Sequence, residues 1–418
     1  MIAKPTTFDT ATETAYSIGR KLCKEAIWVG DFCTWQGFDS MPGEGSSELV
    51  MRSFGPDLHN GIAGIGLFLA ELNVVVQDPI VLNTLEGVMK TLLMQVKACR
   101  FAFPFGVYMG QVGVGYGLFR IGQLTDRPDW TKAGLGLFAE LVDRPIPRGQ
   151  VDVYSGIAGA IPIFLMLYKE GRGNKYLSLA ISCCEALLDQ AKRAEDHWSW
   201  QTLPDMPPLT GYAHGASGIA LALLNLFEST NEEKYFSAGM KGFAFEQLHF
   251  DNWPNNWHDL HYVDGHEKQQ KCTDSWSHGA PGMALARLQA HRITGNTLLL
   301  KEARQALDTT CDLVSVQLKN ASTANYSLCA GLAGNADILM RASCELKEPA
   351  YAQVAHQVAK LGRMLYDHTD SDWPGIITNP TGGINKYPTP GLLTGLAGTG
   401  HFYLRLSEKP PEDVLLIT

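Results

Sequence analysis

Residues 213–226, AHGASGIALALLNL, set two glycines three apart at the head of an unbroken apolar run. The same pattern returns as HNGIAGIGLFLAEL (59–72), MGQVGVGYGLFRI (109–121), YSGIAGAIPIFLML (154–167), SHGAPGMALARLQA (277–290), CAGLAGNADILMRA (329–342) and TGLAGTGHFYLRL (394–406). The pairs are Gly61/Gly64, Gly110/Gly113, Gly156/Gly159, Gly215/Gly218, Gly279/Gly282, Gly331/Gly334 and Gly395/Gly398. Their first glycines are spaced by 49, 46, 59, 64, 52 and 64 residues, a period that marks a repeat architecture. Glycines three apart share one face of a helix, and without a Cβ they admit a neighbouring backbone. The open N–H groups at such a helix start also suit a polar or anionic ligand. Runs such as IGLFLA (65–70) and IALALL (219–224) are apolar on every side, as buried helices are.

Between these runs lie segments with one wet face: residues 81–100, 174–193, 298–318 and 351–368 carry apolar residues at three-and-four spacing with Lys, Glu, Gln and Arg between them. Each repeat therefore reads as an outer amphipathic helix, a loop and an inner buried helix. An open solenoid needs polar capping repeats at its ends. Here the first and last inner runs are as apolar as the middle ones, so the chain is expected to close. The predicted fold is an all-α, α/α toroid, a double barrel of seven inner and seven outer helices. It is expected to form one domain over 1–418, with repeats over about 57–406 and an outer helix and loop over 1–56. The loops ahead of the inner helices would gather at one end, bringing Asn60, Met109, Ser155, His214, His278, Ala330 and Thr394 around a central cavity.

The net charge of −9 argues against nucleic acid as a partner, so none is expected. No charge-free apolar run is long enough to span a membrane, and the N-terminus lacks the core of a signal peptide. Nine cysteines without regular spacing fit free thiols in a reducing compartment, so a cytoplasmic location is expected. Residues 29–58, rich in Gly, Pro and Ser, read as a surface excursion. The long connection 250–276 holds Trp253, Trp257, His258, His261 and Tyr262. It reads either as an aromatic anchor packed on the barrel or as a lid that touches substrate.

Polar groups at the expected mouth fall in four segments: Asp152 in VDVYSGIAG, His214 in GYAHGASG, Asp274, Ser277 and His278 in TDSWSHGAPG, and Cys329 in SLCAGLAG. Cys329, His278 and His214 are zinc-type donors at equivalent repeat positions, although a zinc site wants about four ligands. Each histidine equally suits a backbone-bonded residue at a helix start, and Cys329 an inert buried thiol.

The motifs G-Y-A-H-G-A-S-G-I-A, S-W-S-H-G-A-P-G and S-L-C-A-G-L-A-G-N-A-D resemble, in order, those of the lanthionine synthetase C-like cyclases, and the resemblance runs from about Asp57 to Leu406. It implies a seven-fold α/α toroid. It also implies addition of a cysteine thiol of a ribosomally made, dehydrated precursor peptide to dehydroalanine or dehydrobutyrine, giving a thioether. A dehydratase or kinase-type modification enzyme is the partner the resemblance suggests. The thiolate is the nucleophile, and the enolate formed needs a proton donor. The resemblance places the acid/base histidine at His214 and its aspartate at Asp152, and His278 is a further candidate base. Trp253, Trp257, Asp274 and Trp276 are candidate substrate contacts.

The chain departs from the family at zinc, the family cofactor. Cys329 keeps its ligand position, but Ser277 and Ala330 stand where the other two ligands belong. No cofactor is therefore expected, with a rebuilt site from Cys329, His278 and His214 as the exception. Three readings follow. One is a zinc-independent cyclase that relies on positioning and on His214, His278 and Asp152. The second is a non-catalytic peptide-binding scaffold for a partner enzyme, or a different ring closure on the same fold. The third is an unrelated toroid glycosidase, with Asp152 and Asp274 as its carboxylates.

Overall fold

A computed structural model describes residues 8–42, 47–262, 272–320, 324–369, 371–378, 384–385 and 388–417. Chain order alternates outer and inner helices. The outer set is α1 (Thr10–Glu25), α3 (Pro79–Ala98), α5 (Pro128–Ala139), α7 (Asn174–Asp189), α9 (Glu233–Gln247), α11 (Thr297–Lys319) and α13 (Pro349–Tyr366). The inner set is α2 (Ile62–Val76), α4 (Gln111–Leu124), α6 (Ile157–Lys169), α8 (Ala216–Thr230), α10 (Ala280–Thr294), α12 (Leu332–Leu346) and α14 (Leu396–Arg405). Short antiparallel hairpins decorate the ends: β1 (Ile27–Val29) with β2 (Phe32–Thr34), β3 (Gln36–Pro42) with β4 (Ser47–Ser53), β5 (Lys192–Arg193) with β6 (Trp198–Ser199), β7 (Phe250–Asp251) with β8 (Asn256–Trp257), and β9 (Ile377–Thr378) with β10 (Ile384–Asn385). The excursion expected over 29–58 is thus largely two β-hairpins. Among the described residues, no helix is long and apolar enough to cross a membrane.

Burial follows the two hydrophobic patterns. Every residue of α8 from Ala216 to Leu226 is buried, as an all-round apolar helix requires. In α13 the buried positions are Tyr351, Ala355, Val358 and Gly362, a four-three-four stripe facing inward. Each inner helix from α2 to α12 pairs most closely with the outer helix that follows it. The last inner helix, α14, has no following helix, and α1 takes that place.

The ring is closed, as the apolar end repeats foretell: α14 packs on both α2 and α12. Across the seam, His401 Nδ1 lies 2.7 Å from Glu71 Oε2, both side chains being buried. Thr14 of α1 donates to Asp367 at 2.8 Å, just beyond α13. After α14 the chain turns back into the barrel, where Val414, Leu415, Leu416 and Ile417 are buried. Tyr108 donates to the Val414 carbonyl at 2.8 Å and Trp276 to the Leu415 carbonyl at 2.9 Å, so this tail forms the floor beneath the mouth.

The glycine pairs have a specific cause. The first glycine of each pair is the N-cap of its inner helix. The second meets the carbonyl oxygen of the residue six positions earlier. A Cβ would sit 2.2 Å from Leu58 O at Gly64, 1.5 Å from Val107 O at Gly113, and 2.1 Å from Val153 O at Gly159. The same holds at Gly218 with Tyr212 O (2.1 Å), Gly282 with Trp276 O (2.0 Å), Gly334 with Leu328 O (1.7 Å) and Gly398 with Leu392 O (1.8 Å). The close backbone is the helix's own preceding loop. That loop also takes up helix-start donors: the N–H of Ile62, Ile157, Ala216, Leu332 and Leu396 each donates to a carbonyl seven residues earlier. The expectation that these N–H groups wait for a ligand is corrected here, because the loop carbonyls already satisfy them.

Gly113→Ala is therefore expected to cost about 3 kcal/mol or more, at the upper end of single-residue effects. Gly136→Ala is the control: it sits within α5 with nothing within 4 Å of a built Cβ, and should gain about 0.5–1 kcal/mol. Urea unfolding of both variants checks the pair; equal stabilities would contradict the close-approach account.

Candidate active site

With each loop pinned at its second glycine, the residue two before the N-cap glycine lies on a common circle. Its N–H donates to the carbonyl of the equivalent residue in the next repeat. The bonds are His59 to Tyr108 (2.9 Å), Tyr108 to Tyr154 (3.0 Å), Tyr154 to Ala213 (3.2 Å), Ala213 to Ser277 (3.3 Å), Cys329 to Leu393 (2.9 Å) and Leu393 back to His59 (2.8 Å). The seventh junction, from Ser277 to Cys329, is spanned differently: Asn335 Nδ2 donates to the Asp274 carbonyl at 3.2 Å.

Side chains from these loops meet at the mouth. Asp152 is buried, and its Oδ1 accepts the Ser155 N–H at 2.9 Å. Its Oδ2 stands 2.6 Å from His214 Nδ1. A carboxylate there fixes the proton on Nδ1 and leaves Nε2 as the basic nitrogen. His214 stacks on His278, with ring centroids 5.7 Å apart and planes at 21°. The Tyr154 ring is tilted against His214 at 5.0 Å and is itself edge-on to His59 at 5.2 Å. His261 meets His278 edge-on at 4.4 Å, and its Nδ1 lies 2.8 Å from Asp259 Oδ1. Five rings from four parts of the chain thus form one arc, with a buried carboxylate beside His214 and another beside His261.

Burial sets the charge states. It presses the His278 imidazole down to about 3, against the opposing pull of Asp259, so the ring is neutral at ordinary pH. Burial likewise lowers His59 to about 3, and His214 pushes in the same direction. Asp259 behaves in reverse: burial would raise it, but the His261 hydrogen bond and the nearby imidazoles carry it down to about 2. Burial lifts Asp274 to about 6 although Asn256 Nδ2 donates to it at 3.0 Å.

Of the predicted site residues, Asp152, His214 and His278 are brought together. Cys329 keeps its backbone on the circle, but its thiol is buried near Ser327 and pushed up to about 12. Among the described residues, the group able to hold a metal is Asp259, His261 and His278, whose donor atoms lie within 4.8 Å of one another. A site rebuilt from Cys329, His278 and His214 is thus not what the fold assembles. Trp257 and Trp276 are each 1% exposed: Trp257 lies against the Arg287 guanidinium, and Trp276 is tied to the tail. Both are packing residues rather than mouth contacts. Trp253, 88% exposed, sits at the turn between β7 and β8. Tyr262 side-chain placement, like residues 263–271, lies outside what the structure describes. His59 and Tyr154 were not foreseen. The signal was present, since both stand two residues before an N-cap glycine, one place ahead of Asn60 and Ser155, which the repeat points towards the cavity.

The chain belongs to the lanthionine synthetase C-like protein family, whose sequence model matches residues 52–416. It is similar to the lacticin 481/lactococcin biosynthesis protein LcnDR2 of Lactococcus lactis subsp. lactis, 26% identical over 309 residues, which covers 70% of this chain and 30% of that protein. The chain therefore matches less than a third of this curated relative's length. Among solved structures, nisin cyclase shares the fold at a TM-score of 0.64 and 16% identity, over 85% of this chain and 89% of that one. The resemblance implies zinc ligands at positions 277, 329 and 330, and the residues present there do not make that donor set. Position 277 offers a serine hydroxyl already 3.1 Å from Ser275 Oγ, position 330 a methyl group, and position 329 a single buried thiol.

The lowered imidazoles predict acid sensitivity. A histidine whose folded pKa is depressed contributes stability above its unfolded value near 6.5, and that stability is lost as pH falls towards about 3. His59→Gln should flatten the fall in unfolding free energy between pH 6 and 4, by up to about 1.4 kcal/mol per pH unit. Parallel slopes for wild type and variant in urea titrations would rule this out.

Proposed function

We propose that this chain closes thioether rings in a dehydrated ribosomal precursor peptide without the family's usual zinc ligands. The observation that carries the reading is the 2.6 Å contact between buried Asp152 and His214 Nδ1 at the mouth. Family membership and the toroid shared with nisin cyclase support the substrate class. In the proposed step, His214 Nε2 takes the proton of a cysteine thiol. The sulfur then bonds to the β-carbon of dehydroalanine or dehydrobutyrine, and the π electrons of that double bond move into an enolate. The proton held on His214 returns to the α-carbon, so the addition consumes no other reactant. Asp152 keeps His214 in the working tautomer and stabilises the imidazolium formed. His278, neutral and stacked on His214, is the second candidate base. A general base of this kind contributes about 10²–10⁴-fold in rate.

The lost ligands at Ser277 and Ala330 favour a second reading, in which the toroid holds the peptide for a partner modification enzyme. Incubation with a dehydrated, cysteine-containing peptide, followed by thiol alkylation and mass spectrometry, separates the two. Loss of alkylation by the wild type, slowed about 10²-fold or more in His214→Asn and Asp152→Asn, is the expected result. A peptide that binds but stays fully alkylated would leave the scaffold reading in its place.

A further inference from the structure

Asp259 and His261 follow β8, in the long connection before α10, and His278 ends that connection just ahead of the N-cap glycine of α10. The thioether step uses neither Asp259 nor His261, yet both are held firmly. Asp259 is buried; its Oδ1 accepts the His261 backbone N–H at 3.1 Å, and its Oδ2 accepts the Thr273 hydroxyl at 3.1 Å. His278 Nδ1 faces the Thr210 carbonyl at 3.3 Å. A carbonyl can only accept, so Nδ1 carries the proton and Nε2 keeps its lone pair. Such backbone locking of the tautomer is the usual support behind a metal-bound imidazole. Two imidazoles and one carboxylate, each with a donor atom within 4.8 Å of the others, make a donor set suited to transition ions that keep an open coordination position.

We propose that Asp259, His261 and His278 form a binding site for a divalent transition-metal ion of the zinc class. A tetrahedral ion with bonds of about 2.0–2.1 Å needs donors about 3.3 Å apart. No two of the donor atoms are more than 4.8 Å apart, so seating the ion needs a closure of at most about 1.5 Å by side-chain rotation, in which the 2.8 Å contact of His261 Nδ1 with Asp259 Oδ1 opens. Three protein ligands leave one position for water or an anionic donor of a bound molecule. The ion would sit one ring beyond the Asp152–His214 pair, since His278 is the ring stacked on His214. The nitrogen donors discriminate against Mg²⁺, which prefers oxygen and its own waters. This site uses none of positions 277, 329 and 330; it shares only His278 with the thioether reading, and with the ion bound His214 is left as the single base.

The test uses the full chain, stripped with a chelator and titrated without peptide. Zn²⁺ is followed by calorimetry and native mass spectrometry, and Co²⁺ by visible absorption. The expected result is about one equivalent of Zn²⁺ that excess Mg²⁺ does not displace. Affinity should weaken at least about tenfold in Asp259→Asn and His261→Gln and stay unchanged in Cys329→Ser. Zn²⁺ should raise the Tm of the wild type and not that of the two variants, each first shown to unfold cooperatively. Less than a tenth of an equivalent, equal binding by the variants, or loss in Cys329→Ser alone would overturn the proposal. Since no peptide is present, that outcome would leave the His214-dependent cyclisation to be judged by its own assay.

Discussion

A carbonyl oxygen lying against a bare Cα holds every repeat of this protein in register. At each second glycine the missing side chain lets the preceding loop fold onto the first turn of the inner helix, and a single added carbon would collide with it. The contact fixes where each loop leaves the barrel and which of its N–H and C=O groups point along the ring. Six inter-loop hydrogen bonds then run from repeat to repeat around the mouth. Backbone groups that would otherwise need water or a ligand are satisfied by their neighbours, so at six of its seven junctions the rim is a polar girdle over an apolar barrel.

The interruption of that girdle between Ser277 and Cys329 falls beside the imidazole arc. Polar support for the arc comes from outside the rim. Glu246, on α9, accepts the N–H of Gly211 and of Ser217 at 2.9 Å each and so brackets His214 on both sides. Arg287 lies buried between Glu246, at 3.2 Å, and Glu302, at 2.7 Å, and covers the Trp257 ring at 4.6 Å. A carboxylate so deep needs a partner charge, and a guanidinium so deep needs more than one acceptor. The aromatic loop and the His214 loop are thus tied to one buried ionic cluster. From below, the C-terminal tail is fastened by Asp413 to Arg341 at 2.9 Å and by Trp276 to its backbone.

The helical pairs were legible because two strong local signals coincide in them. Glycine at a helix start and an all-round apolar run each report on backbone and burial directly, so the first turns of α8 and α12 were legible. Stripes at three-and-four spacing placed α11 and α13 within two residues at each end, whereas α7 stops at Asp189, four residues short of the stretch read as helical. The hairpins β1–β2 and β3–β4 were not legible, because segments rich in Gly, Pro and Ser read as loop when the pairing partner is itself a loop. Trp257 and Trp276 show a different failure. A tryptophan in a long connection has the same composition whether it faces a substrate or a buried arginine, and only packing tells them apart. Asp152 and His214 were read through motif resemblance, whereas Asp259 carried no local sign, since its partner His278 lies 19 residues further along the chain and only the fold of the connection brings the two together.

Sequence by itself determined the seven-fold repeat, the inner and outer roles of the helices and the closure of the ring, because glycine sterics and hydrophobic periodicity are local properties that survive in one dimension. It also singled out the Asp152 and His214 loops. Tertiary structure alone decided which side chains touch. The stacking of His214 on His278, the approach of His261 and Asp259, and the burial that keeps His278 neutral and lifts the Cys329 thiol all depend on distances between repeats. Those distances are set by the carbonyl–glycine contact and the girdle it builds, and no single stretch of chain contains them.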